Sequence, residues 1–137
     1  MKYKRLKSDV NTAVKKKKIL ILTNDKDMMQ LINKNVKILN SNEKIIGKKE
    51  VIKKFGVPPK LIKYFLAIVG DKSDNIPGIP SIGIKTAQKI LNNFKSLKEI
   101  YKNLDKLKLL KIRNAKKLSK IFLKNKKIAL MSEFLST

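Results

Sequence analysis

GDKSDNIPGIPSIGIKTAQKIL, residues 70–91, is the stretch on which the fold turns. It opens on a helix-stopping glycine, Gly70, and runs through two prolines and two further glycines before apolar helical spacing resumes at Ile84. Ala87, Ile90 and Leu91 then keep the inward spacing of a helix. The segment therefore predicts a helix, a tight hairpin with a small residue at its turn, and a second helix. A helix N-terminus offers unbonded N–H groups, and Lys85 and Thr86 stand in its first turn, so a phosphate could sit there. Such contacts grip a nucleic-acid backbone without reading its sequence. An ordinary turn between two helices is the plainer reading of the same residues.

Outward from this stretch the order of elements is a small α/β piece followed by short helices. Ile19–Leu22 is a continuous apolar run ended by Thr23-Asn24-Asp25 and predicts a buried strand in a parallel or mixed sheet. Asn24 or Asp25 is positioned to cap a short helix over 27–33, with Met28, Leu31 and Ile32 inward. A β-hairpin is expected over 36–46 and a helix over 48–55, stopped by Gly56. Pro59 suits the first position of the helix that carries Leu61, Ile62, Phe65, Leu66 and Val69, and Tyr64 and Phe65 are expected in core packing. Ser96 and Glu99 have capping-box spacing. A last helical stretch is predicted over 114–134, with Leu118, Phe122, Ile128 and Leu130 among its apolar positions. There is no internal repeat.

The chain carries 34 Lys and Arg against 10 Asp and Glu, a formal net charge of +24, and neither Cys nor His. Disulfides, zinc–thiolate sites, imidazole bases and cysteine nucleophiles are excluded. Any chemistry must rest on carboxylates, lysines, hydroxyls or an oxygen-ligated metal. So large a positive charge points to a polyanionic partner, above all nucleic acid, although Lys, Ile and Asn are also the residues that AT-rich codons favour. Lys48, Lys49, Lys53 and Lys54 on one helix, and Lys116, Lys117, Lys120, Lys124, Lys126 and Lys127 on another, read as solvated faces. No aromatic residues interleave them as a single-strand stacking platform would require. No apolar run approaches membrane-span length and the basic N-terminus has no secretory apolar stretch, so a cytoplasmic protein is expected.

Against that background four of the ten acids fall in two tight pairs, Asp25 with Asp27 and Asp71 with Asp74. The first pair follows the end of a predicted strand, where α/β folds bind ligands. The second has a three-residue offset, which on a helical turn places both side chains on one face, ~5–6 Å apart at Cβ. Oxygen-only donor sets suit a hard divalent cation. Four carboxylates brought together without one would repel strongly. The simpler assignment makes Asp25 a helix cap, Asp27 a first-turn acid, and Asp71 and Asp74 turn residues.

Read in order, LTNDKDMMQL (22–31), FGVPPKLIKYFLAIVGDKSDNIPGIPSIGIKTAQKIL (55–91) and NKKIALMSEFLST (125–137) resemble the 5′-nuclease domain of bacterial DNA polymerase I, within the 5′–3′ exonuclease and flap endonuclease superfamily. The resemblance covers Ile19 to Thr137, and GDxSDNIPG followed by IGxKTA is its most specific part. It implies an α/β, mostly α, fold: a small strand and hairpin region, then a helical bundle with a helix–hairpin–helix motif. The implied organisation is a basic segment 1–18, a nuclease-core remnant 19–56 and a helical DNA-binding region 57–137. It further implies that Asp25, Asp27, Asp71 and Asp74 contribute to a Mg²⁺ or Mn²⁺ site for phosphodiester hydrolysis. Residues 79–87 would bind duplex DNA, with Ser81, Gly83, Lys85 and Thr86 at the contact and a K⁺ held by hairpin carbonyls.

Three departures qualify the implied activity. The family's N-terminal half, with further acidic ligands, has no counterpart in this chain. Asn24 stands where the family usually has Gly, and Ser81 stands at a usual Gly of the hairpin, where a serine is tolerated if φ stays negative. Two readings follow. One is a metal-dependent 5′–3′ exodeoxyribonuclease component, acting on nicked or 5′-flapped duplex in the bacterial cytoplasm and nucleoid, with a separate chain supplying the N-terminal half. The other is a helix–hairpin–helix module that binds DNA without cutting it.

Overall fold

Hydrophobic patterning divides the chain into a small sheet and a helical bundle, and the computed structural model, which describes residues 18–136, has both. The expected basic segment 1–18 is described only at Lys18; the rest lies outside the described residues. Two compact units divide the chain, one running through Ile62 and the other Lys63–Ser136.

In the first unit, β1 (Ile19–Leu22) pairs parallel with β2 (Val36–Leu39), and β2 pairs antiparallel with β3 (Ile45–Ile46). Asn40 builds the turn between β2 and β3: its Oδ1 accepts from the N–H of Asn42 and of Lys44, both at 3.0 Å. Leu31 and Val36 form a buried cluster against which Ile19, Ile21 and Met28 pack. The apolar run of β1 predicts a strand covered on both faces, and here the structure differs. Its burial alternates, leaving Leu20 50% and Leu22 73% exposed. Register puts Leu20, Leu22 and Ile45 on one face of the sheet and Ile19 and Ile21 on the other, and among the described residues only the second face is packed. The helix expected over 27–33 is a 3₁₀ turn, Lys26–Leu31, capped by Asp25. Helix α1 (Lys48–Phe55) buries Val51 and Phe55 and ends at Gly56, whose φ of 73° lets its N–H reach Ile52 O at 2.8 Å. Lys48, Lys49, Lys53 and Lys54 are exposed, as a solvated face requires.

In the second unit, α2 (Ile62–Val69), opened by the 3₁₀ turn at Pro59, buries Phe65, Leu66, Ala67 and Ile68. Tyr64 is only half-buried, with Lys63 Nζ 4.8 Å from its ring centre. The hairpin leads into α3 (Ile84–Asn93), which buries Ala87, Ile90 and Leu91. Ser96 caps α4 (Leu97–Lys102) by accepting from Glu99 N at 3.0 Å. Glu99 reaches back one residue further than the expected box, accepting from Lys95 N at 2.7 Å. A 3₁₀ segment, Leu104–Leu109, was not legible in the pattern.

The stretch expected as one helix over 114–134 is two, α5 (Ala115–Lys124) and α6 (Lys126–Ser136), broken at Asn125. Leu118 and Phe122 are buried as expected, whereas Leu130 is exposed. Helix α6 packs through Ala129, Ser132 and Ser136 and turns Leu130, Met131, Phe134 and Leu135 outward. Polar anchors select the small face: Ser136 Oγ donates to Lys63 O at 2.9 Å, and Ser132 Oγ accepts from Gly78 N at 3.1 Å. Buried N–H and C=O groups need partners, and leucine could supply none.

Tyr101 ties α4 to α5, its hydroxyl donating to Phe122 O at 2.7 Å and its ring meeting Phe122 edge-on at 5.8 Å. Burial pushes its pKa up from 10 to about 12. A phenol held protonated above its ordinary value stabilises the fold fully below pH 10, and that contribution fades as pH rises through about 12. Tyr101→Phe is expected to lose ~1 kcal/mol at neutral pH, from the missing hydrogen bond. Urea titrations at stepped pH should show the parent's advantage over the variant shrinking across that alkaline window.

Candidate metal centre and nucleic-acid interface

The acidic loop is shaped by its glycines. Gly70 and Gly78 both hold positive φ, 86° and 72°, and their backbones nearly touch: a Cβ on Gly78 would lie 2.5 Å from Gly70 N. Between them, Asp71 and Ile76 exchange backbone hydrogen bonds of 2.8 and 2.9 Å, closing residues 72–75 into a short 3₁₀ turn. Asn75 in the left-handed region, φ 56°, makes the return. Ile79 N then donates to Ile68 O at 2.8 Å, fastening the loop to α2.

This closure brings the second acid pair together. A carboxylate oxygen of Asp71 and one of Asp74 lie within 4.8 Å of each other. Asp71 Oδ1 accepts from Ser73 N at 3.1 Å and from Ser73 Oγ at 2.8 Å, the turn role expected from its position. Asp74 Oδ2 is buried and has no hydrogen-bond partner among the described residues. A buried carboxylate oxygen without a donor is costly, and an oxygen-seeking cation is the ligand that such a donor set fits.

The first pair lies in the other unit, just past the end of β1. Asp25 Oδ1 accepts from Asp27 N at 2.9 Å, and Asp25 N donates to Thr23 Oγ1 at 3.0 Å, so Asp25 is an exposed cap. Asp27 is half-buried in the first turn. Asn24 Oδ1 accepts from Ser41 N at 2.9 Å, which ties this turn to the β2–β3 connection.

Ser81, Gly83, Lys85 and Thr86 fall together on the hairpin and the first turn of α3. Helical bonding starts with Ala87 N to Gly83 O at 3.0 Å, so the N–H groups of residues 84–86 precede it. Ser81 is exposed and adopts φ 69°. The condition of a negative φ is therefore not met: the tight turn needs a left-handed residue there, and a serine occupies it under strain. Gly83, by contrast, is extended at φ −88°, and a Cβ on it would meet nothing within 4 Å. Neither strain nor packing inside the molecule requires glycine at 83. Sequence reasoning missed Ser132, which accepts from Gly78 N across 54 residues and anchors the loop. No local pattern announces a contact of that separation.

The family profile described as "5′-3′ exonuclease, C-terminal SAM fold" matches residues 57–137. A 5′-3′ exonuclease of Buchnera aphidicola subsp. Acyrthosiphon pisum is 47% identical over 116 residues, 84% of this chain and 41% of that protein. DNA polymerase I of Pseudomonas aeruginosa is 41% identical over 132 residues, 93% of this chain and 14% of that one. The chain thus spans less than half the length of these curated relatives. Among solved structures, T5 5′-exonuclease with divalent metal ions (zinc) bound superposes with a TM-score of 0.75 at 17% identity, covering 96% of this chain and 46% of that one. The bacteriophage T5 D15 flap endonuclease, in a pseudo-enzyme–product complex with DNA and metal ions, gives 0.70 at 17% identity over 87% of this chain and 42% of that one. At such identity these likenesses establish the fold alone. No described helix is long and apolar enough to cross a membrane.

Two substitutions test the turn chemistry. Ser81→Gly relieves ~1–2 kcal/mol of left-handed strain and gives back ~0.5–1 kcal/mol of glycine entropy, so the fold should gain ~0.5–1 kcal/mol in urea unfolding. Gly78→Ala forces a methyl into the Gly70 backbone and should lower the melting temperature by several degrees at least, read by circular dichroism.

Proposed function

The chain belongs to the 5′–3′ exonuclease family, and from that premise we propose that it is the DNA-gripping and partly metal-binding portion of a structure-specific 5′ nuclease. The observation that carries the reading is the Asp71–Asp74 pair, with a buried, unpartnered Asp74 oxygen, placed directly ahead of a hairpin whose Gly83 is small for no internal reason. Asp71 and Asp74 are proposed as ligands of a divalent cation, Mg²⁺ or Mn²⁺, with Asp27 and Asp25 as further ligands from the family's first acid motif. Held there, such a cation would supply Lewis-acid chemistry for phosphodiester hydrolysis, a more acidic water and charge stabilisation at the leaving oxygen. The protein's own contribution is rigidity. Ser73 fixes one oxygen of Asp71, and the Gly70–Gly78 closure holds Asp74 beside it.

The hairpin grips duplex DNA by its backbone. Its elements are the N–H groups at the start of α3, the Lys85 ammonium, the Thr86 hydroxyl and the bare surface of Gly83, with Ser81 and a K⁺ at the turn. Nicked or 5′-flapped duplex is the proposed substrate, read without base contacts. In the family fold the remaining ligands and the steering residues for the 5′ end belong to the N-terminal half. The protein acts in the bacterial cytoplasm, at the nucleoid. A second reading, a module that binds DNA without cutting it, is favoured by Asp25, an exposed cap whose Oδ1 is already engaged by Asp27 N at 2.9 Å.

Gly83→Ala should leave the melting temperature unchanged, yet weaken binding to a 5′-flapped duplex in fluorescence anisotropy by ~10-fold, since loss of a backbone contact is worth ~1.4 kcal/mol. Unaltered binding would remove the hairpin from the interface. Calorimetric titration of Mn²⁺ into the protein should give binding that Asp71→Ala and Asp74→Ala each weaken by ~100-fold or more, because even outer-shell partners of a metal are worth ~10–100-fold. Cleavage of the flap, with the N-terminal half supplied, should disappear in the same variants. Metal binding without cleavage would support the second reading.

A further inference from the structure

The exposed side of α3 carries a polar pattern that begins at Lys85 of the hairpin motif and continues past the motif's end at Ala87. Lys85, Lys89, Asn92 and Asn93 stand at i, i+4, i+7 and i+8, opposite the buried Ala87, Ile90 and Leu91, and so line one face from the first turn to the last. From Lys85 to Asn92 the face runs ~10 Å at 1.5 Å per residue. Measured along a duplex axis, that length corresponds to about three base-pair rises of ~3.4 Å.

The face ends in a groove. Lys89, Asn92 and Asn93 form one wall, and residues 109–112, with Lys111, form the other, enclosing about 510 Å³. No carboxylate lines the groove, and neither Lys89 nor Lys111 is paired with one among the described residues. Asn93 Nδ2 donates to Lys89 O at 2.9 Å, which fixes the carboxamide at the rim. The C-terminal end of a helix repels anions by itself. Here Lys95 Nζ caps it, donating to Asn92 O at 3.0 Å, and the two lysines of the groove outweigh what remains. Leu109, 74% exposed, and Ile112 give the opposite wall an aliphatic surface. Positive charge beside carboxamides and an aliphatic wall matches a sugar–phosphate unit: ammonium groups for the phosphate, amides for its oxygens, leucine for the sugar.

We propose that this groove is a second backbone-binding subsite, occupied by the DNA strand that leaves the hairpin along α3. The assignment rests on the proposed grip of the hairpin on duplex DNA, and extends it by about three nucleotides. Charge complementarity selects the occupant, since a groove with two unpaired ammonium groups and no acid favours a polyanion over a neutral ligand.

The test is fluorescence anisotropy with a flapped DNA duplex over a series of salt concentrations. Lys89→Ala/Lys111→Ala removes two phosphate contacts and should lower the slope of log K against log salt by ~1.8. Lys98→Ala/Lys102→Ala, two exposed lysines on α4, removes equal charge away from the groove and should change the slope by less than half as much. Lys85→Ala reports on the hairpin separately. Equal effects from the two double variants would overturn the subsite while leaving the hairpin reading intact if Lys85→Ala still weakens binding. Absence of salt-dependent binding in the parent would overturn both. Unchanged melting temperatures in all three variants exclude unfolding as the cause.

Discussion

The approach of Gly70 to Gly78 is the contact on which the rest of the second unit depends. Two backbones meet there at a distance that leaves no room for a Cβ on either side. Because they meet, residues 71–76 close into a single tight turn, and the chain leaves that turn beside α2, where Ile79 N reaches Ile68 O. The acid pair and the hairpin are then both referred to one rigid point. A looser loop would let Asp74 swing into water, where its carboxylate would be better solvated and its position beside Asp71 no longer fixed.

Helix α6 serves the same contact from a distance. Its buried face is built of Ala129, Ser132 and Ser136, small enough for close packing and polar enough to accept from Gly78 N and donate to Lys63 O. The consequence is that its larger side chains, Leu130, Met131, Phe134 and Leu135, point outward. Apolar spacing along the sequence favours the larger residues as the core face, because burial scales with apolar area. In α6 hydrogen-bond satisfaction and backbone proximity prevail instead.

The strand and helix boundaries were legible where punctuation is strong. Gly56 stops α1, Ser96 caps α4, and Asn40 builds the turn after β2, each through a hydrogen bond between near neighbours. Legibility fell where the competing possibilities differ by tertiary contacts. The pattern of β1 predicts burial on both faces, yet among the described residues only the face of Ile19 and Ile21 is packed. The break at Asn125 and the 3₁₀ segment at 104–109 carry no proline or glycine to announce them. Of the candidate site, the turn role of Asp71, the cap role of Asp25 and the grouping of Gly83, Lys85 and Thr86 followed from spacing alone.

By itself the sequence determined the order of elements, the two acid pairs and the hairpin that follows the second, because each is specified by residues within one or two turns of one another. Only the tertiary structure decided that Ser81 lies at φ 69°, that Gly83 faces open space, that Asp74 keeps a buried oxygen without a donor, and that α3 and residues 109–112 enclose a basic groove. Those features depend on contacts between segments far apart in the chain. Local spacing sets which residues share a face, whereas what that face meets is set by the packing of the other elements.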